Sequence, residues 1–195
     1  MTLINLYKTF YQSLCVLTVL MLSACASKPS SENSIVDSNE VVRFEQAIDL
    51  LKEKKLAESR KIFSELHVAH PEFVGPIFNL GLIGITEHDF ELAKTRFEQV
   101  LALKSQHIGA LVSLAYIARE EGRFDDAEAR YLAVLSIEPD NVKALRNLGI
   151  LLDLYRGRLQ EALVLYERYQ SLQAKEDPQL KDWIFDLKAR IAQES

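Results

Sequence analysis

The chain has 195 residues, of which 28 are acidic and 23 basic, so its formal net charge at pH 7 is −5. It contains no cluster of lysine and arginine interleaved with aromatic residues, which argues against nucleic acid as a partner, and the acidic balance argues against attraction to anionic lipid. The length is enough for one elongated domain with a continuous core.

The first 24 residues have the pattern of an export signal. Lys8 precedes an apolar run from Leu14 to Leu22, and small residues follow that run. The run is nine residues long, far short of the roughly 20 that a helix needs to cross a bilayer. We therefore expect a cleaved signal over residues 1–24 rather than a permanent transmembrane anchor, and Cys15 would be removed with it.

The motif Leu-Ser-Ala-Cys at residues 22–25 resembles the lipobox of bacterial lipoproteins. The resemblance implies cleavage before Cys25 and acylation of its thiol, with two or three acyl chains holding the protein at a membrane. By analogy with bacterial sorting, Ala26 and Ser27 imply the outer membrane, on the face toward the periplasm. The alternative is an ordinary signal with a chance cysteine, or an uncleaved apolar anchor.

Residues 25–40 are predicted to form a flexible tether, because this stretch is serine-rich and polar and has no helical periodicity. Without Cys15 the mature chain keeps one cysteine, so we expect no intramolecular disulfide.

Beyond the tether, a self-similar unit recurs every 34 residues. One series of small residues is Ala47, Gly81, Ala115 and Gly149. A second series, with one extra residue before its last member, is Ser59, Ala93, Ala127 and Ala162. Four residues after each member of the second series stands an aromatic residue: Phe63, Phe97, Tyr131 and Tyr166. Small residues let two helices approach closely while the aromatic ring fills the gap, so each unit is predicted to be a helical hairpin.

The pattern predicts the limits of eight helices. First helices are expected near residues 41–53, 74–87, 108–121 and 142–155, and second helices near residues 56–69, 90–103, 124–137 and 159–172. Pro71 and Pro139 follow the second helices of two units, as helix-ending residues do. Gly122 and Gly157 are expected to close first helices in the left-handed conformation, and we place the extra residue of unit four in the turn at residues 156–158.

This arrangement resembles the tetratricopeptide repeat, whose unit has this length and this order of residues. The resemblance covers residues 41–174 and implies an all-α, right-handed α-solenoid of about four hairpins. The sequence departs from the family pattern early in the first helix, where a large aromatic residue is usual and this chain has Arg43, Ile77, Leu111 and Leu145.

Residues 175–195 are predicted to form a C-terminal capping helix. Asp177 and Pro178 have the types of an N-cap and a first-turn residue. One apolar stripe follows, made of Leu180, Trp183, Ile184, Leu187 and Ile191. Such a stripe covers the exposed end of a repeat stack.

The sequence shows no constellation for catalysis, and we expect neither an enzyme nor a cofactor. It has no glycine-rich phosphate loop, nucleophile elbow or zinc-protease helix motif. His67 and His70 share a helix face, but a metal site there would need further ligands that the neighbouring sequence does not supply.

The resemblance implies that the first helices line a concave face, which in tetratricopeptide proteins commonly holds peptides or helices. Carried over residue by residue, the expected partner-binding groove comprises Phe44, Ile48, Leu51, Phe78, Asn79, Leu82, Ile85, Val112, Ser113, Tyr116, Arg119, Arg146, Asn147 and Ile150. Its first half is apolar, and from Tyr116 onward it becomes polar and cationic. This change suggests a partner segment with hydrophobic anchors at one end and an acidic or hydrogen-bonding group at the other. Alternatively, several of the apolar residues pack between neighbouring hairpins or against the tether.

Some families of this fold clamp the C-terminal carboxylate of a partner with lysine, asparagine and arginine. The matching places here hold Phe44, Ile48, Gly109 and Ser113, so that clamp is absent. The sequence thus indicates a periplasm-facing lipoprotein that binds another envelope protein as an adaptor or assembly factor. Lipoproteins of similar build serve pilus and secretin assembly, outer-membrane assembly and envelope energy transduction. The alternatives are a structural lipoprotein that forms homo-oligomers and an accessory of an enzyme.

Overall fold

The computed structural model describes residues 37–175 and 177–194, and every regular element in those ranges is helical. The predicted signal over residues 1–24, the predicted lipid-attachment residue Cys25 and the tether as far as residue 36 lie outside the described residues. The elements are α1 (Ser38–Lys52), α2 (Leu56–Ala69), α3 (Val74–Thr86), α4 (Phe90–Leu103), α5 (Ile108–Glu120), α6 (Phe124–Ile137), α7 (Val142–Ile150, extended by a π-helical turn Leu151–Tyr155), α8 (Leu159–Ser171) and α9 (Pro178–Glu194). They confirm the all-α solenoid of four hairpins followed by a terminal helix.

Helix α1 begins at Ser38, three residues before the predicted start. Asp37 and Glu40 form a reciprocal capping box, in which each side chain accepts a hydrogen bond from a backbone amide at the start of the helix. Residues 38–40 therefore belong to the first hairpin and not to the tether. The capping residues at the start of α1 are polar, so their composition does not distinguish them from the residues of a tether.

The hairpins close on the small residues that the repeat predicts. A methyl carbon added to Gly81 would lie 2.6 Å from Cε1 of Phe97, and one added to Gly149 would lie 2.5 Å from Cε1 of Tyr166. In the first hairpin the hydroxyl of Ser59 instead donates a hydrogen bond to the carbonyl of Ala47 at 2.8 Å. The rings at the centre of the four hairpins, those of Phe63, Phe97, Tyr131 and Tyr166, are all buried.

The turn inside each hairpin contains one residue with a positive φ angle. Gly122 and Gly157 confirm the predicted left-handed closure, with φ of 75° and 64°. The equivalent residues of the first two hairpins are Lys54 and His88, with φ of 61° and 60°. Side chains pay a steric cost in this conformation that glycine avoids.

The extra residue of the fourth hairpin was placed wrongly in the turn at residues 156–158. The structure accommodates it in α7, where Leu151–Tyr155 form a π-helical turn. A π-turn is how an α-helix takes up one inserted residue. Gly157 consequently takes the same left-handed conformation as Gly122.

The core runs from hairpin to hairpin as the repeat architecture requires. One apolar cluster joins the first and second hairpins, a second joins the second and third, and a third joins the last two hairpins to α9. Leu180 and Leu187 of α9 are almost completely buried in that third cluster. The side chain of Asp177 accepts from the amides of Gln179 and Leu180, as expected for the N-cap of this helix.

Candidate partner-binding groove

The residues predicted for the groove lie on the first helices α1, α3, α5 and α7. Two of them, Asn79 and Val112, are buried with 7% of their surface exposed, and Ser113 is buried as well. The others are half-buried. None of the predicted residues stands free in solvent, so each has a packing role beside any role in binding.

Phe44 and Phe78 act as wedges between successive hairpins. The ring of Phe44 packs on Phe63 and Phe73, with centroid distances of 5.6 and 5.2 Å. A methyl carbon added to Gly75, at the start of the next first helix, would lie 2.9 Å from the Phe44 ring. The interpretation that such residues pack between hairpins therefore applies to Phe44.

Phe78 repeats this geometry one hairpin later. Its ring lies 5.5 Å from that of Phe97 and 4.8 Å from that of His107, and a methyl carbon on Gly109 would come within 2.8 Å of it. In the third hairpin the smaller Val112 takes this place and Lys143 replaces the glycine. A charged substitution at either phenylalanine would disrupt the packing between hairpins. A loss of binding in such a variant would therefore not show that the phenylalanine contacts a partner.

Asn79 and Val112 were predicted to face a partner, and the structure gives them internal roles. The side-chain amide of Asn79 donates to the carbonyl of Gly75 at 2.9 Å, one turn earlier in α3. Val112 belongs to the apolar cluster that joins the last two hairpins. Neither offers free contact area in the groove.

A half-buried apolar surface remains between α3 and α5. Leu82, Ile85 and Tyr116 pack at the edge of the second cluster together with Phe90, the first residue of α4. The rings of Phe90 and Tyr116 meet edge to face at 6.4 Å. Apolar side chains with part of their surface left open in a groove are typical anchors for a bound segment.

The cationic half of the groove begins at Tyr116. The guanidinium of Arg119 lies over the Tyr116 ring, 5.2 Å from its centroid, and Nη2 of Arg119 donates to Oε1 of Glu120 at 2.7 Å. Burial raises the pKa of the Tyr116 hydroxyl, and the charge of Glu120 adds to that effect. Tyr116 therefore stays neutral at physiological pH and can both donate and accept hydrogen bonds.

Helix α9 covers the far end of the groove. The guanidinium of Arg146 lies 5.4 Å from the centroid of Trp183, whose ring is 6.2 Å from that of Tyr166. Arg190 of α9 donates from Nη1 to Oδ1 of Asp153 at 2.8 Å. Asn147 and Ile150 are half-buried on the same helix as Arg146.

A cavity of about 200 Å³ lies beside this contact, lined by Asp153, Leu154, Tyr166, Trp183, Asp186 and Arg190. Asp153, Trp183 and Arg190 are not among the residues predicted for the groove. The spacing contained one signal, because Asp153 stands 34 residues after Arg119 and hence at the equivalent place of the next hairpin.

A further surface, which the repeat pattern does not predict, lies on the side of the second helices. Leu132 of α6 and Val164 of α8 are exposed to 51% and 64%, and they line a cleft of about 260 Å³. Arg158 pairs with Glu128 and Glu161 at its edge. The cleft thus has apolar side chains at its base and ion pairs along its edge.

The two histidines at the C-terminal end of α2, His67 and His70, contact other side chains. Nε2 of His70 contacts the carboxylate of Glu40, which ties the end of α2 to the start of α1. His67 lies near Arg96, and burial together with that positive charge lowers its pKa. No group of three residues able to hold a metal ion occurs within residues 37–175 and 177–194.

Across that same part of the chain, no helix has both the length and the apolar character needed to span a membrane.

Comparison with known proteins identifies the repeat type of the central residues and the fold. Residues 85–149 match a family model described as tetratricopeptide repeat. PilF of Pseudomonas aeruginosa is similar in structure with a TM-score of 0.70 at 17% identity, over 79% of this chain and 69% of that chain. MamA from Desulfovibrio magneticus RS-1, residues 41 to the end, gives 0.67 at 16% identity, over 80% and 88%.

A tetratricopeptide repeat protein from Parabacteroides merdae gives a TM-score of 0.60 at 17% identity, over 72% of this chain and 56% of that chain. Identities at this level establish the fold and nothing about partners. No curated protein matches the sequence of this chain.

Proposed function

We propose that this chain, a tetratricopeptide-repeat solenoid, is an adaptor that binds a segment of another protein along the concave face of its first helices. The observation that supports this proposal is that the side chains along that face change from apolar to cationic. The half-buried apolar surface of Leu82, Ile85 and Tyr116 is followed by the guanidinium groups of Arg119 and Arg146. Tetratricopeptide repeats generally act by binding proteins, which supports an adaptor rather than an enzyme.

We further propose that the adaptor is a lipoprotein of the bacterial outer membrane that faces the periplasm and serves a multiprotein envelope machine. The support is the Leu-Ser-Ala-Cys motif at residues 22–25 behind an apolar run. Acyl chains on Cys25 would hold the solenoid at the membrane.

Photo-crosslinking from exposed positions tests the groove without disturbing the core. A photoreactive amino acid at Thr86 or Lys143, which are exposed on first helices, should capture the partner in intact cells. Matched positions on second helices, Glu98 and Ala129, should capture it much less. Capture from the second helices alone would contradict the proposal.

The two cysteines provide a matched pair for testing the anchor. Cys25→Ser should abolish labelling by a radioactive fatty acid and release the protein from the membrane fraction. Cys15→Ser should leave labelling unchanged, because that residue lies inside the proposed signal. Continued labelling of Cys25→Ser would refute the lipobox assignment.

Self-association is the alternative function, and the exposed Leu132 and Val164 favour it because apolar surface of this kind marks interfaces. It predicts a dimer whose population rises with concentration in analytical ultracentrifugation. Val164→Lys should abolish that dimer, whereas Val68→Lys, at a still more exposed position on α2, should leave it intact. A monomer at all concentrations would exclude this alternative.

A further inference from the structure

Hairpin four shows how a tyrosine and an arginine share one carboxylate at the groove end of a hairpin. Burial and the neighbouring Asp153 carboxylate raise the pKa of the Tyr166 hydroxyl, and Nη1 of Arg190 donates to Oδ1 of the same Asp153 at 2.8 Å. Asp153 is buried to more than nine-tenths. The acidic side chain thus accepts from the arginine and lies beside the tyrosine.

Hairpin three has the donors of this arrangement without the acceptor. Tyr131 stands at the place of Tyr166, and Arg119 stands at the place of Asp153. The Tyr131 hydroxyl and the Nε and Nη1 groups of Arg119 are buried and have no hydrogen-bond partner among the described residues. Only Nη2 of Arg119 is paired, with Glu120.

The first two hairpins make no such demand, because their equivalent pairs are Leu51 with Phe63 and Ile85 with Phe97. The fold therefore does not require polar residues at these two positions, and an apolar pair would serve for packing in hairpin three as well. A buried donor without an acceptor costs roughly 1–3 kcal/mol, and more where the group is charged. The side chain of Arg119 is only 10% exposed, so solvent does little to offset that cost.

We propose that Arg119 and Tyr131 bind the side-chain carboxylate of an aspartate or glutamate in the partner segment. This inference rests on the proposed function of the groove, and it names the chemistry that the partner must carry. Hairpin four offers a parallel, because there the residue at the place of Arg119 is itself a carboxylate, Asp153, beside the tyrosine. Arg146, which makes no ion pair with a described residue, adds positive charge on the following first helix.

The surroundings favour a side chain over a chain terminus. Beyond Arg119, Arg146 and Ile150 keep part of their surface exposed beside α9, so a bound segment can run on past the carboxylate. Toward the N-terminal side, Leu82 and Ile85 offer apolar contacts. The partner motif is therefore an apolar stretch followed by an acidic residue inside a continuous segment.

Tyr116 controls access to this carboxylate site. Its ring covers the guanidinium of Arg119 at 5.2 Å, and its own surface is half-buried. Rotation of the Tyr116 ring exposes the Arg119 donors, and side-chain rotations of this kind are common when interfaces form. Binding then replaces a stacking contact with charge-assisted hydrogen bonds, which are the stronger interaction.

Selection from a random pool of short peptides tests the proposal. The probe pool is acetylated and amidated, so that every carboxylate comes from a side chain, and a second pool has free C-termini. Peptides retained by the wild-type protein should be enriched in aspartate or glutamate after apolar residues. Replacing the acidic residue by its amide should weaken binding about ten- to a hundredfold.

The variant Arg119→Leu/Tyr131→Phe copies the first hairpin and should fold, because it removes three unpaired donors and, besides the stacking on Tyr116, only one paired group, the Nη2 that donates to Glu120. It should lose the acidic preference. The Arg119 Nε resonance should shift when a selected peptide is added, whereas that of Arg96, whose Nε is also buried and unpaired but lies on the second helix α4, should not.

Several results would overturn the carboxylate site. The selected peptides could show no enrichment in acidic residues, or only those with free C-termini could be enriched. The double variant could bind the selected peptides as tightly as the wild type does, or the wild type could bind inorganic phosphate as tightly as it binds them. Photo-crosslinking from Thr86 separates this failure from failure of the groove. If the double variant still captures the cellular partner as the wild type does, the groove stands and the carboxylate assignment falls. If crosslinking from Thr86 captures no partner in the otherwise wild-type protein, both the groove and the carboxylate site are refuted.

Discussion

The close contact between α3 and α4 provides a stringent test of the hairpin geometry. A methyl carbon on Gly81 would lie 2.6 Å from Cε1 and 2.8 Å from Cζ of Phe97. Carbon atoms pack best at about 3.5–4.0 Å, so the buried ring must move by about 1 Å to admit Gly81→Ala. Overpacking of this kind costs about 1–3 kcal/mol, and the better helix propensity of alanine returns about 0.5–1 kcal/mol. We expect a net loss of about 0.5–2 kcal/mol.

Urea unfolding followed by far-UV circular dichroism measures this loss, and a double-mutant cycle assigns its cause. Phe97→Leu destabilises the protein by itself but makes room for the added methyl group. The double variant should therefore be more stable than the sum of the single effects predicts, by at least about 0.5 kcal/mol.

Two results would refute this reasoning. If Gly81→Ala is as stable as the wild type, then α3 and α4 do not approach as closely as the structure shows. If the two effects simply add, the cost of Gly81→Ala does not come from the Phe97 ring.

Four further substitutions, one of them a control, test other contacts by the same unfolding assay. Arg190→Gln leaves the buried carboxylate of Asp153 without its charged partner and should cost about 1–3 kcal/mol, whereas Lys188→Gln breaks an exposed ion pair and should cost less than about 1 kcal/mol. Lys54→Gly relieves a left-handed residue and should stabilise by up to about 1 kcal/mol; a loss would show that φ is not positive there. Burial lowers the pKa of His107, so the stability that its neutral ring contributes is lost as pH falls below the usual value of 6.5. His107→Asn should therefore lose less stability than the wild type on acidification, and an equal loss would refute this role.

The repeat fold could be predicted from the sequence because its signals are local and periodic. Each helix limit follows from small residues, aromatic residues and turn residues that lie within one unit. The buried rings of Phe97 and Tyr166 lie where their spacing from Ala93 and Ala162 placed them. The start of α1 was missed because the residues of its capping box also suit a polar tether.

The groove could be predicted only in outline, because contacts between units decide which side chains remain accessible. Phe44 is wedged between hairpins since Gly75, on the next first helix, leaves room for its ring. The pairing of Asp153 with Arg190 depends on how α9 docks, and no periodicity encodes that contact. The unpaired donors of Arg119 likewise appear only in three dimensions.

Hydrogen–deuterium exchange on the complex with the captured partner is the most direct test of the adaptor role. The full chain would be compared with and without the purified partner. The account predicts slower exchange in the first helices, above all α3 and α5, and little change in α4 and α6. Protection confined to α6 and α8 would place the interface at the cleft beside Leu132 and contradict the groove as the binding surface.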